Sequence, residues 1–175
     1  MENSFSIRLA TEADLPEIRE IYNYYVEIST CTYQIEPDTE AERQIWFEDH
    51  TEQFPVLVAV EKSKNSNKEN IIEEIVGWGS LSSHRSRCGY SKTVENSIYV
   101  RQDKHRRGIG RALTIDLIQR AKDLGYHTIL AGISADQTAS IKLHESLGFA
   151  KVAHYCEVGF KFDQWLDVVY LQIML

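Results

Sequence analysis

Cysteine is scarce in this chain. There are three in 175 residues, at Cys31, Cys88 and Cys156, far apart and in no CxxC spacing. That excludes a disulfide-stapled scaffold, and the thiols read as free groups of a reducing compartment. Long hydrophobic runs are missing too. The longest, about Phe54 to Val60, falls far short of the roughly 18–20 residues that a membrane helix needs. Met1 to Pro16 has neither the basic nor the apolar stretch of a secretory signal, so the expectation is a cytoplasmic protein. Basic charge is in deficit, with 19 Lys and Arg against 26 Asp and Glu and a net charge of −7. That argues against nucleic acid or an anionic membrane as the main partner. Among the histidines, His50, His84, His105, His127 and His154 share no metal-ligand spacing with one another or with cysteine, so no metal is expected.

What is present is an ordinary globular mix, 43% apolar and 26% charged, of a length that suits one domain over residues 1–175. Phe5 to Leu9 alternates like a short strand. Asp14, with Glu17 completing a capping box and Pro16 in the first turn, opens a helix carrying Leu15, Ile18, Ile21, Tyr22, Tyr25 and Val26. A second helix is expected over Glu40 to His50. Pro55 to Glu61 is a β-branched strand, Lys62 to Glu74 a long polar hairpin turn, and Ile75 to Leu81 and Thr93 to Arg101 further strands. Gly108 to Leu124 carries one apolar stripe and ends at Gly125. A strand over His127 to Ile133, a helix from Thr138 to Leu147 stopped by Gly148, and strands over Ala150 to Val158 and Trp165 to Met174 complete the order βααβββαβαββ. That order implies an α+β or mixed α/β fold with a largely antiparallel sheet.

The most informative stretch runs from Arg101 to Arg111. A strand leads into a basic loop, and Gly108 and Gly110 open the long helix. Glycines let backbone approach a ligand closely, and a helix start presents free N–H groups and partial positive charge. The stretch carries five basic side chains and one acidic, a local +4 that leaves −11 for the rest. A bound polyanion follows, the other reading being a solvated loop with a glycine-assisted helix entry. The pattern lacks the GK[ST] of a P-loop and the GxGxxG of a dinucleotide fold, so ATP and NAD fit poorly.

Strand, basic loop, RRGIGRAL, strand, then ASIKLHESLGF resembles the acetyl-CoA core of the GCN5-related N-acetyltransferases. The segments IRLATEADLPEIREIYNYYVEISTCTYQIEP, SHRSRCGYSKTVENSIYV and VGFKFDQWLDVVYLQ resemble the phosphinothricin N-acetyltransferase branch, and the likeness spans residues 5–173 except the polar hairpin. The resemblance implies a seven-stranded mixed sheet splayed at its middle, flanked by about four helices, with acetyl-CoA in the split. It places the cofactor on Ile98, Tyr99 and Val100, on the loop His105-Arg106-Arg107-Gly108-Ile109-Gly110-Arg111, and on Gln137 and Ser140. Two positions depart from the family pattern: His105 stands for Arg or Gln, and Gln137 for Asn.

Acetyl transfer to an amine needs a base, donors for the thioester oxygen, a proton for the thiolate and alignment of the substrates. The resemblance puts the base at Glu95, in VENSIYV, and the oxygen donor at a backbone N–H near Tyr99 or Val100. A free Glu near 4.3 and an α-amine near 8 differ by about 4 pKa units, roughly 5 kcal/mol, so burial or water must assist Glu95. His144, in LHESLGF, stands where relatives carry a Tyr acid or a His. It could serve the thiolate or the amine, or be only a polar residue of an amphipathic helix. No GxSxG elbow appears and Cys156 has no His/Asn context, so direct attack is expected. For the acceptor, Arg85 and Arg87 could clamp an anionic head group, and the resemblance adds Tyr90 beside them and Tyr33 as an aromatic that closes over it; the alternative is a surface arginine pair. Trp165 reads as core or dimer packing.

The resemblance therefore implies an N-acetyltransferase acting on a small amino-acid-like amine, as a homodimer. The alternatives are acetylation of a protein N-terminus or lysine, or an acetyl-CoA sensor without turnover.

Overall fold

The structure is a computed structural model and describes residues 5–64 and 71–175. Its sheet contains β1 (Phe5–Leu9), β2 (Val56–Lys64), β3 (Ile71–Ser83), β4 (Thr93–Val100), β5 (Thr128–Ser134), β6 (Ala150–Lys161) and β7 (Gln164–Met174), in the order β1-β2-β3-β4-β5-β7-β6. The helices are α1 (Leu15–Ile28), α2 (Glu40–Glu48), α3 (Ile109–Asp123) and α4 (Thr138–Glu145). Every described strand pair is antiparallel except β4–β5. That parallel pair holds for only three positions, Thr93↔Thr128, Val94↔Ile129 and Glu95↔Leu130, and then parts. Ile98 to Val100 and Ala131 to Ile133 stand on opposite sides of the resulting split.

Alternation on β2 builds two cores. Val56, Val58 and Val60 face α1, packing with Leu15, Ile18, Ile21, Ile75 and Trp78. Leu57 and Ala59 face α3, packing with Ile109, Leu113, Leu117 and Ala121. With both faces covered, β2 reads as an unbroken apolar run. A register shift between Ala59 and Val60 marks a bulge at Val76 of β3, which leaves Trp78, Ser80 and Ser82 on the α1 side. Their cross-strand partners on β4 are Tyr99, Ser97 and Glu95, so Glu95 shares that face.

The strand order matches the sequence reading, with small differences at the ends. β2 and β3 extend into the polar stretch as far as the pair Lys64↔Ile71; the connection of the expected hairpin, residues 65–70, lies outside the described residues. The capping box expected of Asp14 and Glu17 is not made. The Asp14 carboxylate instead accepts from the Thr11 N–H at 2.7 Å and from the Arg8 guanidinium, while Glu17 accepts the Ile75 N–H at 2.9 Å. An ion pair to β1 and a free strand N–H outcompete the local cap. Trp165 is not core: it is 62% exposed, beside Phe160 on the β6–β7 hairpin. No described helix is long and apolar enough to cross a membrane.

Candidate active site

The split between β4 and β5 opens into a cavity of about 440 Å³. Ile98, Tyr99, Val100, His105, Arg106, Gly108, Ile109, Gly110, Arg111, Gln137, Ser140 and His144 all line it. Gly108 is the N-cap of α3 at φ +83, with open space where a Cβ would stand, so glycine serves conformation there. At Gly110 a Cβ would lie 3.4 Å from Leu143 and 3.6 Å from Val100, so glycine there keeps the cradle shallow. No side chain caps α3, so its first-turn N–H groups face the cleft, as an anion requires.

The basic loop is largely anchored by acids. Arg101 bonds Glu74 and Asp103, and Lys104 and Arg107 both reach Glu61, at 2.7 and 2.6 Å. Arg107 thus turns from the cleft that its neighbours line. Arg106, at φ +62, and Arg111 supply positive charge at the cleft itself. His105, which also lines the cleft, is held at the end of β4. Its Nε2 donates to the Val100 carbonyl at 3.0 Å, its ring stacks on Tyr25, and the Tyr25 hydroxyl donates to that same carbonyl. The loop is thereby tied to the end of β4. Gln137, at the start of α4, donates to Thr30 at 2.7 Å, and Thr30 donates to Asp136 at 2.6 Å. The extra methylene spans from α4 to the loop after α1.

His144 is 3% exposed, and burial holds its ring below the usual histidine range, a bond to Ser140 opposing this. Its Nδ1 donates to the Ser140 carbonyl at 2.8 Å, which leaves Nε2 to accept from Asn96 at 3.0 Å. The ring is neutral in this arrangement and has no proton at Nε2 to give. Asn96 neighbours Glu95 in sequence but faces the opposite side of β4, and the sequence reading passed over it.

Glu95 sits where β4 and β5 part. Its carboxylate bonds His84 Nδ1. The Tyr90 ring meets His84 edge-on at 5.6 Å, and the Arg85 guanidinium lies 5.5 Å from the Tyr90 centroid. Arg85 and Arg87 are both exposed. From β7, Tyr170 faces the same group: burial, then the Glu95 charge, push its phenol up, while Arg85 pulls it down. Tyr170 also packs on Gly132 in the wall of the split, where a Cβ would meet its ring at 3.2 Å. Tyr33 donates to Ser134 Oγ at 3.0 Å and lies flat on Gly159. Lys161, 4% exposed, fixes the loop beneath by donating to the Ser29 and Thr32 carbonyls, both at 2.8 Å.

The likeness to known proteins agrees with this layout. The family model described as an acetyltransferase (GNAT) domain matches residues 7–170. This chain belongs to the GNAT acetyltransferases. It is 39% identical over 171 residues to the L-amino acid N-acyltransferase MnaT of Escherichia coli, covering 97% of this chain and 94% of that one. It is also 39% identical to the L-methionine sulfoximine/L-methionine sulfone acetyltransferase of Pseudomonas aeruginosa, over 98% and 95%. The crystal structure of a GNAT phosphinothricin acetyltransferase from Sinorhizobium meliloti, in complex with acetyl-CoA, superposes with a TM-score of 0.88 at 33% identity, covering 98% of this chain and 89% of that one. The GNAT chain described here is an N-acetyltransferase with acetyl-CoA as its co-substrate. The shallow glycine cradle, the uncapped start of α3 and the cleft-lining Arg106 and Arg111 fit that group's pyrophosphate.

Besides Asn96, two more groups escaped the sequence reading. His84 stood there only as a non-ligand, and the structure joins it to Glu95. The i, i+2 strand spacing of His154 and Cys156 places both beside Asp167, with donor atoms within 4.8 Å of one another. Asp167 is already engaged by His154 at 2.7 Å and by the Glu157 N–H at 2.8 Å.

Proposed function

We propose that the enzyme acetylates the α-amine of a small anionic amino acid of the phosphinothricin, methionine sulfoximine or methionine sulfone type, with Glu95 as the base. The observation that carries this reading is a run of contacts that joins a carboxylate to a guanidinium at the end of the split. Glu95 reaches Arg85 through two ring contacts, His84 and Tyr90. An acceptor whose carboxylate pairs with Arg85 and Arg87 brings its ammonium toward Glu95, one anchor at each end.

The cofactor, when bound, supplies an acetyl thioester. The residues do the rest. Glu95 takes one proton from the ammonium, freeing a lone pair for direct attack. Past Glu95, the edge of β4 facing the split has left β5, which supports backbone N–H groups near Tyr99 and Val100 as donors to the developing oxyanion. His144 enters as a neutral ring whose Nε2 carries no proton and already accepts from Asn96, which argues against that nitrogen as the donor to the thiolate. Tyr33 closes the acceptor side.

The test compares L-methionine sulfone with its carboxamide on the wild type and on Arg85→Gln/Arg87→Gln. The wild type should prefer the acid by about tenfold or more, from one charge-assisted pair of about 1.5–3 kcal/mol. The double variant should lose that preference while its KM for acetyl-CoA stays put. An equal preference in both proteins would remove the clamp from the account.

We also propose a homodimer assembled through the β6–β7 hairpin, in the reducing compartment that three unbridged cysteines suit. Tyr155, Val158, Phe160, Phe162 and Trp165 are 47–62% exposed on this edge hairpin, and a cluster of exposed apolar side chains marks an interaction surface. Light scattering should give twice the chain mass, and Phe160→Ser/Trp165→Ser should give one.

A further inference from the structure

Glu95 does not stand alone, and its partner bears on how it works. His84 follows directly on β3, and the backbone brings it back over β4 so that Nδ1 meets a Glu95 oxygen. The side chains are 15% and 28% exposed, so both are sheltered and still reach water. An ionised carboxylate only accepts, so Nδ1 carries the proton and Nε2 carries the lone pair. One carboxylate oxygen is then fixed, and the other is left to meet an amine. Tyr90 holds the ring from its edge.

We infer that His84 is a positioning residue for Glu95: it fixes the carboxylate in its working rotamer, and protonation of its outer nitrogen switches the base off. The inference rests on the reading of Glu95 as the base. With Nε2 bare, His84 is a neutral hydrogen-bond donor and leaves Glu95 its full charge. With Nε2 protonated, the ring is a cation against the carboxylate and makes it a weaker base. The titratable and charged groups around the pair are Arg85 and Tyr90 in the β3–β4 connection, Tyr170 on β7, which feels both Glu95 and Arg85, and Tyr155 on β6 behind Tyr170. Histidine is the side-chain type whose ordinary range lies between about pH 5 and 8, so the test spans that window. The residue is independent of the cofactor cleft: His84 is absent from the cleft lining.

The test follows kcat/KM for methionine sulfone from about pH 5.5 to 9 in wild type, His84→Asn, His84→Phe and Glu95→Gln, with KM for acetyl-CoA measured alongside. Asn keeps an N–H where Nδ1 stands but does not titrate; Phe keeps the ring packing and loses the donor. His84→Phe should lose about tenfold to a hundredfold in kcat, as a misplaced catalytic group does. His84→Asn should recover most of that loss and flatten the acid side of the profile. KM for acetyl-CoA should stay within about twofold in both, which also reports that the proteins are folded. If Glu95→Gln is severely impaired but both His84 variants match the wild type at every pH, the inference fails and the Glu95 reading stands. If His84→Asn keeps the wild-type acid limb, the switch fails. If Glu95→Gln is as active as the wild type, both fail together.

Discussion

Replacing Gly159 with alanine would put a methyl group inside the Tyr33 ring. A Cβ built on Gly159 lies 2.4 Å from Tyr33 Cε1, 2.8 Å from Cδ1 and 2.9 Å from Cζ. Carbon contacts settle at about 3.5–4.0 Å, so the ring must move by more than 1 Å. Neither neighbour yields easily. Gly159 is paired with Leu166 across the hairpin, and the Tyr33 loop is clamped by Lys161 through the Ser29 and Thr32 carbonyls. The movement breaks the Tyr33–Ser134 hydrogen bond, measured at 3.0 Å, a loss of about 0.5–1.5 kcal/mol. If Tyr33 closes over the acceptor, KM for methionine sulfone rises by about two- to tenfold. Neither Tyr33 nor Gly159 lines the cofactor cleft, so the KM for acetyl-CoA should stay within about twofold. Tyr33→Phe, which deletes the hydroxyl and leaves the ring, should reproduce the lower end of the range. Initial-rate kinetics with each substrate varied in turn decide the matter. A Gly159→Ala enzyme with wild-type acceptor KM, or one in which only acetyl-CoA binding suffers, would refute the placement of Tyr33.

Further outcomes follow from the same geometry. Glu95→Gln should lower kcat by about 10²–10⁴-fold with little change in KM for acetyl-CoA, read by thiol release. Leu117→Ala, in the fully buried stripe of α3 beside Gly79, should cost about 2–5 kcal/mol in urea unfolding. Lys161→Met strands two loop carbonyls and should cost about 1–3 kcal/mol by the same assay, with a raised acceptor KM. His50 and His144 are both held below the usual histidine range, mainly by burial. Their neutral forms are favoured in the fold while the unfolded chain takes up protons near pH 6.5. Stability from these rings is therefore complete above about pH 6.5 and declines below it, by at most about 1.4 kcal/mol per pH unit for each ring. His144→Asn should flatten the fall in melting temperature between about pH 7 and 5, and an unchanged slope would contradict the assignment.

The fold was legible because its signals are local and repeat. The stripe of α3, the unbroken VLVAV of β2 and the glycines at Gly125 and Gly148, both at positive φ, each follow from residue spacing alone. The cofactor loop was legible because its chemistry lies in one continuous segment. What escaped was what depends on distant residues meeting. Asp14 looked like a helix cap until Arg8, on β1, claimed its carboxylate. Trp165 looked like core because tryptophan usually is, yet an edge hairpin has no layer above it. His84 carried no motif, since its partner is eleven residues away across a turn whose path only the fold reveals. Period-2 alternation on β4 was available all along. It puts Glu95, Ser97 and Tyr99 on one face and Asn96, Ile98 and Val100 on the other, and so separates the acceptor side from His144.

The central claim is that an acetyl group leaves acetyl-CoA for the α-amine of a small anionic amino acid. The most direct measurement is thiol release from acetyl-CoA with phosphinothricin, methionine sulfoximine, methionine sulfone, free amino acids and a basic peptide as competing acceptors. The account predicts turnover on the sulfoximine- and sulfone-type acids, with the acetyl group on the α-nitrogen of the product by mass spectrometry, and none on the peptide. Turnover on the peptide alone would contradict the acceptor site built around Glu95, Arg85 and Arg87, and leave only the cofactor cleft standing.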